Sequence, residues 1–349
     1  MSDSFQKMRE KVSLSLVFLL FFQVGWGQYN FQVLDQKMEE AKKAYQGEMM
    51  VMVYRNGAVI YQKALGEMNP KTQVPLLYAS QWLTAALVLK TAEEGKIGLG
   101  DRMGNFIPDF NKYSKGYITI EQSLAHLTGI EPEPLITLPV PEKSKFSTLE
   151  EAVSASTSKK QIQSPPGRDF RWGDPGMDYA GRALELASKK GFEQLMQEKI
   201  LRPLQMRNTQ FSAFPYTQPS MGALSSAGDL LQFLACLLNN GQWNGKTILS
   251  PAVVDQLLAA AATRAMVKSA PEAYQQWSPA LGNWVLATDE KGKSTINAAN
   301  PLTGTWAILD RCRGYALVIV AGKPMNDDKK EICWQIKAAL DSQINAACQ

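Results

Sequence analysis

The order of strand-like and helix-like segments along the chain is the feature that most limits its possible folds. Strand-like apolar runs occur near the start, at 49–54 and 59–65, and return only near the end, at 282–288, 305–309 and Tyr315–Ala321. The long stretch between them has helical spacing. This order predicts an antiparallel sheet assembled from both chain ends, with a helical subdomain inserted between them.

Local patterns place the individual elements. Apolar residues at spacings of three and four predict an amphipathic helix over 31–45, and another helix is expected at about 327–344. Residues 82–89 are apolar except for Thr84, which predicts a helix buried on every side. Asn56-Gly57 between two apolar runs predicts a hairpin, because both turn residues tolerate positive φ.

Two helix starts are also marked. Ser226 with Asp229 has the spacing of a capping box, and Ser250-Pro251 is typical of a cap followed by proline at the first helical position. No internal repeat or low-complexity linker divides the chain.

The N-terminus has the pattern of an export signal. Arg9 and Lys11 precede an apolar run over 12–22, and Gly25 and Gly27 supply small residues for a cut after Gly27. The run of eleven residues is too short to cross a hydrocarbon core of about 30 Å. We therefore expect a signal peptide at 1–27 and a mature chain, 28–349, that is periplasmic or secreted and has no integral membrane segment.

Composition excludes several function classes. The net charge of +4 is spread along the chain without a basic stripe, which disfavours nucleic acid as a partner. The single histidine, His126, and the four cysteines match no zinc pattern, so neither a metal nor a cofactor is predicted. Disulfides are permitted outside the cytoplasm, and three pairing schemes are open, one of them containing Cys312–Cys333. Cys236, inside an apolar helix, is expected to be a buried thiol.

Four segments, in order, resemble the serine β-lactamase and penicillin-binding protein family, especially its class C-like esterase and D-aminopeptidase branch. They read YASQWLTAALVLKTAEEGKIGLGDRMGNFIPDF, ITIEQSLAHLTGI, SPPGRDFRWGDPGMDYAGRALELASKKGFEQLMQEKILRPLQMRNTQF and GALSSAGDLLQFLACLLNNGQWNGKTILSP. The resemblance implies an α/β fold in which helices sandwich an antiparallel sheet, and a cleft beside an all-helical subdomain. We expect one domain, with its α/β part at about 28–76 and 275–349 and its helical part at about 77–274.

The catalytic motifs of that family are changed in this chain. Its chemistry uses Ser-x-x-Lys, in which the serine is acylated and the lysine helps to remove its proton, together with Tyr-x-Asn and Lys/His-Thr-Gly. Aligned on the family segments, these motifs fall respectively on Tyr78 and Gln81, on Trp172 and Asp174, and on Leu302, Thr303 and Gly304.

These departures predict an inactive family member. Gln81 cannot act as a base, and an indole offers only a donor. The seven motif positions are then expected either to line a site for a small molecule or a peptidoglycan-like peptide, or to have filled in. The alternative is an active esterase, D-aminopeptidase or β-lactamase that uses Ser80, assisted by Asp174 or Tyr78. His126 is expected to be structural; the ligand and the oligomeric state stay open.

Overall fold

The computed structural model describes residues 29–44, 47–132, 145–173, 175–211, 216–299, 304–321 and 327–348. The expected signal peptide lies outside these residues. The strands are β1 Met49–Arg55, β2 Ala58–Leu65, β3 Gln73–Pro75, β4 Phe170–Arg171, β5 Leu224–Ser226, β6 Gln242–Trp243, β7 Lys246–Thr247, β8 Val267–Ser269, β9 Ser278–Pro279, β10 Trp284–Thr288, β11 Ser294–Ala298, β12 Thr305–Asp310 and β13 Tyr315–Ala321.

The helices lie mostly between β2 and β9. They are α1 Gln32–Ala44, α2 Ser80–Glu93, α3 Pro108–Lys112, α4 Ile120–Leu124, α5 Leu149–Lys159, α6 Gly176–Ser188, α7 Phe192–Met196, α8 Arg202–Leu204, α9 Ala227–Leu238, α10 Pro251–Leu258 and α11 Asp327–Asp341. A π-helical turn, Gln197–Leu201, joins α7 to α8. Among the described residues, no helix combines the length and the apolar character needed to span a membrane.

Seven strands form one antiparallel sheet in the order β2-β1-β13-β12-β11-β10-β9. The predicted antiparallel sheet built from both chain ends is therefore confirmed. β1 lies between its hairpin partner β2 and β13 from the far end, with Val51 opposite Ile319. At the hairpin turn, Asn56 and Gly57 both have left-handed φ values, of 50° and 84°, which explains the Asn-Gly pair.

The sheet is covered on both faces. Along β1, Met50 and Met52 pack with the helices of the chain's middle, whereas Val51 and Val53 pack against α1 and α11. Successive strand residues point to opposite faces, so a strand covered on both sides is apolar throughout. This explains why β1 and β13 occur in the sequence as continuous apolar runs.

Helix α2 passes through the larger of the two cores. Eleven of its fourteen residues are buried, as its apolar sequence predicted. Ser226 caps α9 by accepting a hydrogen bond from the N–H of Asp229. The expected reciprocal bond is replaced, because the Asp229 carboxylate accepts from the N–H of Asn208 and the hydroxyl of Thr209. Ser250 caps α10, with Pro251 at its first position.

The disulfide joins Cys312 to Cys348 rather than to Cys333. Cys333 lies on the face of α11 that is buried against the sheet, and it takes no part in a disulfide. The segment after α11 returns to the turn before β13, where the N–H of Ala347 donates to the carbonyl of Cys312. Cys236 is a free, buried thiol as predicted, and its burial raises the pKa of the thiol to about 12.

Candidate functional site

The turn that leads into α2 is strained. Residues Leu77–Ala79 form a single 3₁₀ turn, and Leu77 has a φ of 48°. Left-handed backbone costs a side chain with a Cβ roughly 1–2 kcal/mol, and such strain concentrates at functional positions. β12 runs beside this turn. The turn places Tyr78, which the resemblance aligns with the family nucleophile, directly before α2.

Tyr78 and Gln81 are both buried, exposing 6% and 3% of their surface. The Tyr78 ring packs edge-on against Trp172, with ring centroids 5.1 Å apart. The Gln81 carboxamide oxygen lies 3.1 Å from Nε2 of His126. Because a carboxamide oxygen only accepts, the imidazole carries a proton on Nε2 and donates it to Gln81.

His126 and Trp172 are in direct contact with each other. The two rings stack at 5.5 Å and an interplanar angle of 27°. Trp172 follows directly after β4, and its backbone N–H donates to the carbonyl of Ser269 on β8. We call Tyr78, Gln81, His126 and Trp172 the cleft cluster. The structure thus brings together three of the expected site residues, Tyr78, Gln81 and Trp172. It adds His126, for which the sequence alone indicated no partner.

Further aromatic rings extend the cleft cluster into the core. Trp284 on β10 lies 5.7 Å from Trp172, and the ring of Tyr274 lies 5.3 Å from that of Trp284. Burial raises the pKa of Tyr274 well above its usual value. Sequence reasoning missed both residues. The usable signal was the position of Trp284 in the strand-like run at 282–288.

The side chain of Ser80 points to the backbone of Ala223. Its side chain is fully buried, and its Oγ accepts a hydrogen bond of 3.1 Å from the N–H of Ala223, just before β5. Among the described residues, the Ser80 hydroxyl has its hydrogen bond with this N–H of Ala223. A serine hydroxyl needs an adjacent base to become a nucleophile, and this contact supplies a donor instead.

The remaining motif positions are only partly described. Asp174, Leu302 and Thr303 lie outside the described residues. Gly304 is described: it precedes β12 with a φ of 97°, and its carbonyl accepts from the N–H of Ala321 on β13. Within the described part of the chain, no group of three or more His, Cys, Asp or Glu residues is placed to hold a metal ion.

The described arrangement is built for packing and hydrogen bonding. Its polar groups are a phenol, a carboxamide, an imidazole and an indole, each in contact with another member of the cleft cluster. The Nε1 of Trp172 has no hydrogen-bond partner among the described residues. A carboxamide has no proton of suitable acidity to exchange, so Gln81 can orient His126 but cannot relay a proton as a lysine can.

Comparison with known proteins identifies the family. The family model described as Beta-lactamase matches residues 34–340. Protein flp of Staphylococcus aureus strain MW2 is 25% identical over 197 residues, which cover 53% of this chain and 39% of that protein. The chain therefore spans about two fifths of the length of this curated relative.

Solved structures share the fold at low identity. A Bacteroides dorei protein of the β-lactamase type superposes with a TM-score of 0.77 at 24% identity, covering 90% of this chain and 99% of that one. EstCE1, a hydrolase with promiscuous acyltransferase activity, gives 0.74 at 19% identity over 88% and 97%. The octameric penicillin-binding protein homologue of Pyrococcus abyssi gives 0.71 at 18% identity over 89% and 77%.

Proposed function

The chain belongs to the β-lactamase family, and from that premise we propose that it is an exported member that has lost the family's acyl-transfer reaction and acts as a binding or scaffolding protein. The observation that carries the proposal is the cleft cluster. The family resemblance aligns Tyr78 and Gln81 with the acylated serine and its lysine, and in the structure the two side chains contact Trp172 and His126.

The packing also bears on where binding takes place. The members of the cleft cluster each expose 6% or less of their surface. A small molecule or a peptidoglycan-like peptide that entered this position would have to displace the ring of Tyr78 or Trp172. The proposal therefore favours a filled reaction centre and a protein that acts through other parts of its surface.

The alternative, an active serine hydrolase that uses Ser80, is less well supported. The Ser80 hydroxyl is fully buried and accepts a hydrogen bond from the N–H of Ala223, so a substrate could reach it only after neighbouring residues had moved. The similar proteins include a hydrolase and an acyltransferase, so the labelling experiment below also tests this alternative.

Export is proposed on two grounds. The charged start, apolar run and small-residue exit at 1–27 are typical of a signal peptide. The Cys312–Cys348 disulfide fits an oxidising compartment, since such bonds are rare in the cytosol. Fractionation and mass spectrometry of the natural protein should find it outside the cytoplasm with Gln28 as its first residue; a cytoplasmic protein that retains residues 1–27 would refute this part.

Activity-based labelling tests the loss of chemistry. The purified mature chain would be exposed to a fluorescent penicillin, a fluorophosphonate and chromogenic esters, with an active penicillin-binding protein as the positive control. We expect no covalent label and no turnover, and the same result for Ser80→Ala. Stoichiometric labelling of a serine would overturn the proposal, and its loss in Ser80→Ala would establish the alternative.

A further inference from the structure

A polar depression lies on the helical part of the molecule, away from the cleft cluster. It has a volume of about 430 Å³, within the range of small-molecule sites. It is lined by Arg102, Asn105, Asn111, Ser114, Gly116 and Tyr117, none of which belongs to the cleft cluster. We call this feature the polar depression.

The floor of the polar depression is preformed. The Asn111 amide donates to the carbonyl of Gly104 at 2.7 Å, and the N–H of Gly104 donates to the carbonyl of Gly116. A Cβ at Gly104 would lie 2.1 Å from the Asn111 carboxamide oxygen, and one at Gly116 would lie 2.0 Å from it. A side chain at either position would therefore displace the Asn111 carboxamide from its present place between the two glycines. A ligand would meet this floor without having to order it.

The walls carry polar groups that the described structure leaves unengaged. The side chains of Arg102, Asn105, Ser114 and Tyr117 form no hydrogen bond or ion pair with another residue of the described ranges. Tyr117 exposes 49% of its surface. Among the described residues that line the depression, Arg102 is the cation and none carries a carboxylate. The walls thus offer a guanidinium, a carboxamide, a hydroxyl and an open aromatic face.

The side chains that line the polar depression limit the classes of ligand that it can bind. Apart from the tyrosine ring, no apolar side chain lines the depression, which disfavours an apolar ligand. A single arginine is too few for a nucleic-acid backbone, which is bound by several cations. Guanidinium groups pair with carboxylates in a bidentate manner, and a tyrosine ring offers an apolar face with a polar tip. Amide and hydroxyl groups are suited to bonding neutral hydroxyl groups.

We propose that the polar depression binds a short oligosaccharide that carries a carboxylate. Arg102 pairs with the carboxylate, Tyr117 packs against the face of one sugar ring, and Asn105 and Ser114 bond to ring hydroxyls. The site is independent of the cleft cluster, so it stands whether or not the cleft retains any chemistry.

Binding would be measured by NMR titration of the isotope-labelled mature chain. The probes are trigalacturonic acid, neutral galactotriose, triglutamate and uridine monophosphate. We expect trigalacturonic acid to shift amide signals of residues 102–118 in a saturable way, and galactotriose to bind at least about tenfold more weakly, since it lacks the charge. Absence of saturable shifts with trigalacturonic acid would overturn the proposal. So would equal binding of triglutamate or preferential binding of the nucleotide.

Paired variants separate specific contacts from overall charge. Arg102→Gln should weaken trigalacturonate binding by about tenfold or more, whereas Lys112→Gln, an exposed cation outside the lining, should change it by less than about twofold. Tyr117→Ala should weaken binding, and Tyr117→Phe, which keeps the ring, should retain it. Equal losses in the two charge variants, or full binding by Tyr117→Ala, would contradict the assigned contacts. Unchanged thermal midpoints would show that the variants are folded.

Discussion

At the scale of single residues, ring packing and one hydrogen bond hold the cleft cluster together. The Gln81 carboxamide holds the His126 ring by a hydrogen bond. The family resemblance predicted that Tyr78, Gln81 and Trp172 belong to one site, and the structure brings their side chains into one cluster. The part of His126 could not be predicted, because its bond to Gln81 joins residues 45 apart in sequence. The roles of Asp174, Leu302 and Thr303 stay predictions.

Replacing Gln81 by alanine should destabilise the protein. The change leaves the donated proton of the buried His126 ring without its acceptor, which costs about 1–3 kcal/mol in the free energy of unfolding. Urea unfolding of parent and variant measures this cost. Gln232→Ala is the matched control, because the buried carboxamide oxygen of Gln232 has no partner among the described residues. Its loss should change stability by less than about 0.5 kcal/mol, and equal effects would refute the role of the Gln81 bond.

Glu193 should make stability depend on pH. Burial raises the pKa of its carboxyl, against hydrogen bonds from Gln197 and from the N–H of Phe211 that lower it. The folded state then holds a proton that the unfolded state has released, so this group's contribution to stability falls as pH rises above its ordinary value of 4.5. Glu193→Gln removes that loss. Relative to the parent, the variant should therefore gain stability between about pH 4 and pH 7.

The control for this prediction has the opposite sign. A hydrogen bond from Lys190 lowers the pKa of the exposed Glu198 carboxyl, so its contribution is present near neutral pH and is lost in acid. Glu198→Gln should thus lose stability relative to the parent over the same rise in pH, by a smaller amount because solvent screens the pair. Chemical unfolding at both pH values measures both variants, and shifts of the same sign would contradict the assignment.

At the scale of elements, the sequence predicts what depends on local pattern. The hairpin turn at Asn56-Gly57 and the buried helix α2 follow from local patterns of residue type. Strand β11, Ser294–Ala298, was missed because its sequence is mostly polar and small. It becomes a strand through its neighbours β10 and β12, and through the Asn297 amide, which donates to the carbonyl of Leu258. The left-handed turn at Leu77 was also unpredictable, since leucine has no preference for positive φ.

The strain at Leu77 can be measured with two pairs of variants. Leu77→Ala and Leu77→Gly remove the same buried side chain, but glycine also removes the cost of positive φ. The glycine variant should be more stable than the alanine variant by about 1 kcal/mol. At Leu87, inside α2, the order should reverse by about the same amount, because glycine is the poorer helix former. Denaturant unfolding of the four variants tests this; the same order at both positions would show that the turn holds no strain.

At the scale of the whole molecule, the first and the last strand of the chain lie side by side in the sheet. β1 pairs with β13, so residues about 270 apart form adjacent strands. The distribution of apolar runs predicted this meeting, because a sheet shared by the two ends is the simplest way to bury them. The disulfide was not predictable in the same way. Four cysteines leave three schemes open, and the choice depends on how residues 342–348 return to Cys312 after α11 ends.

The Cys312–Cys348 disulfide should contribute measurably to the free energy of unfolding. The Cys312–Cys348 bond spans 36 residues, and cross-linking a loop of this size restricts the unfolded chain by about 2–4 kcal/mol. The double variant Cys312→Ser/Cys348→Ser should lose that amount in the free energy of unfolding. Reductant should lower the unfolding midpoint of the parent and leave that of the variant unchanged. The parent unfolded without reductant should show two reactive thiols, Cys236 and Cys333, and four after reduction. Four reactive thiols before reduction, or equal sensitivity of parent and variant to reductant, would mean that Cys312 and Cys348 are not bonded. Two thiols together with equal stability of parent and variant would mean that the packing of α11 on the sheet already restricts this end of the chain.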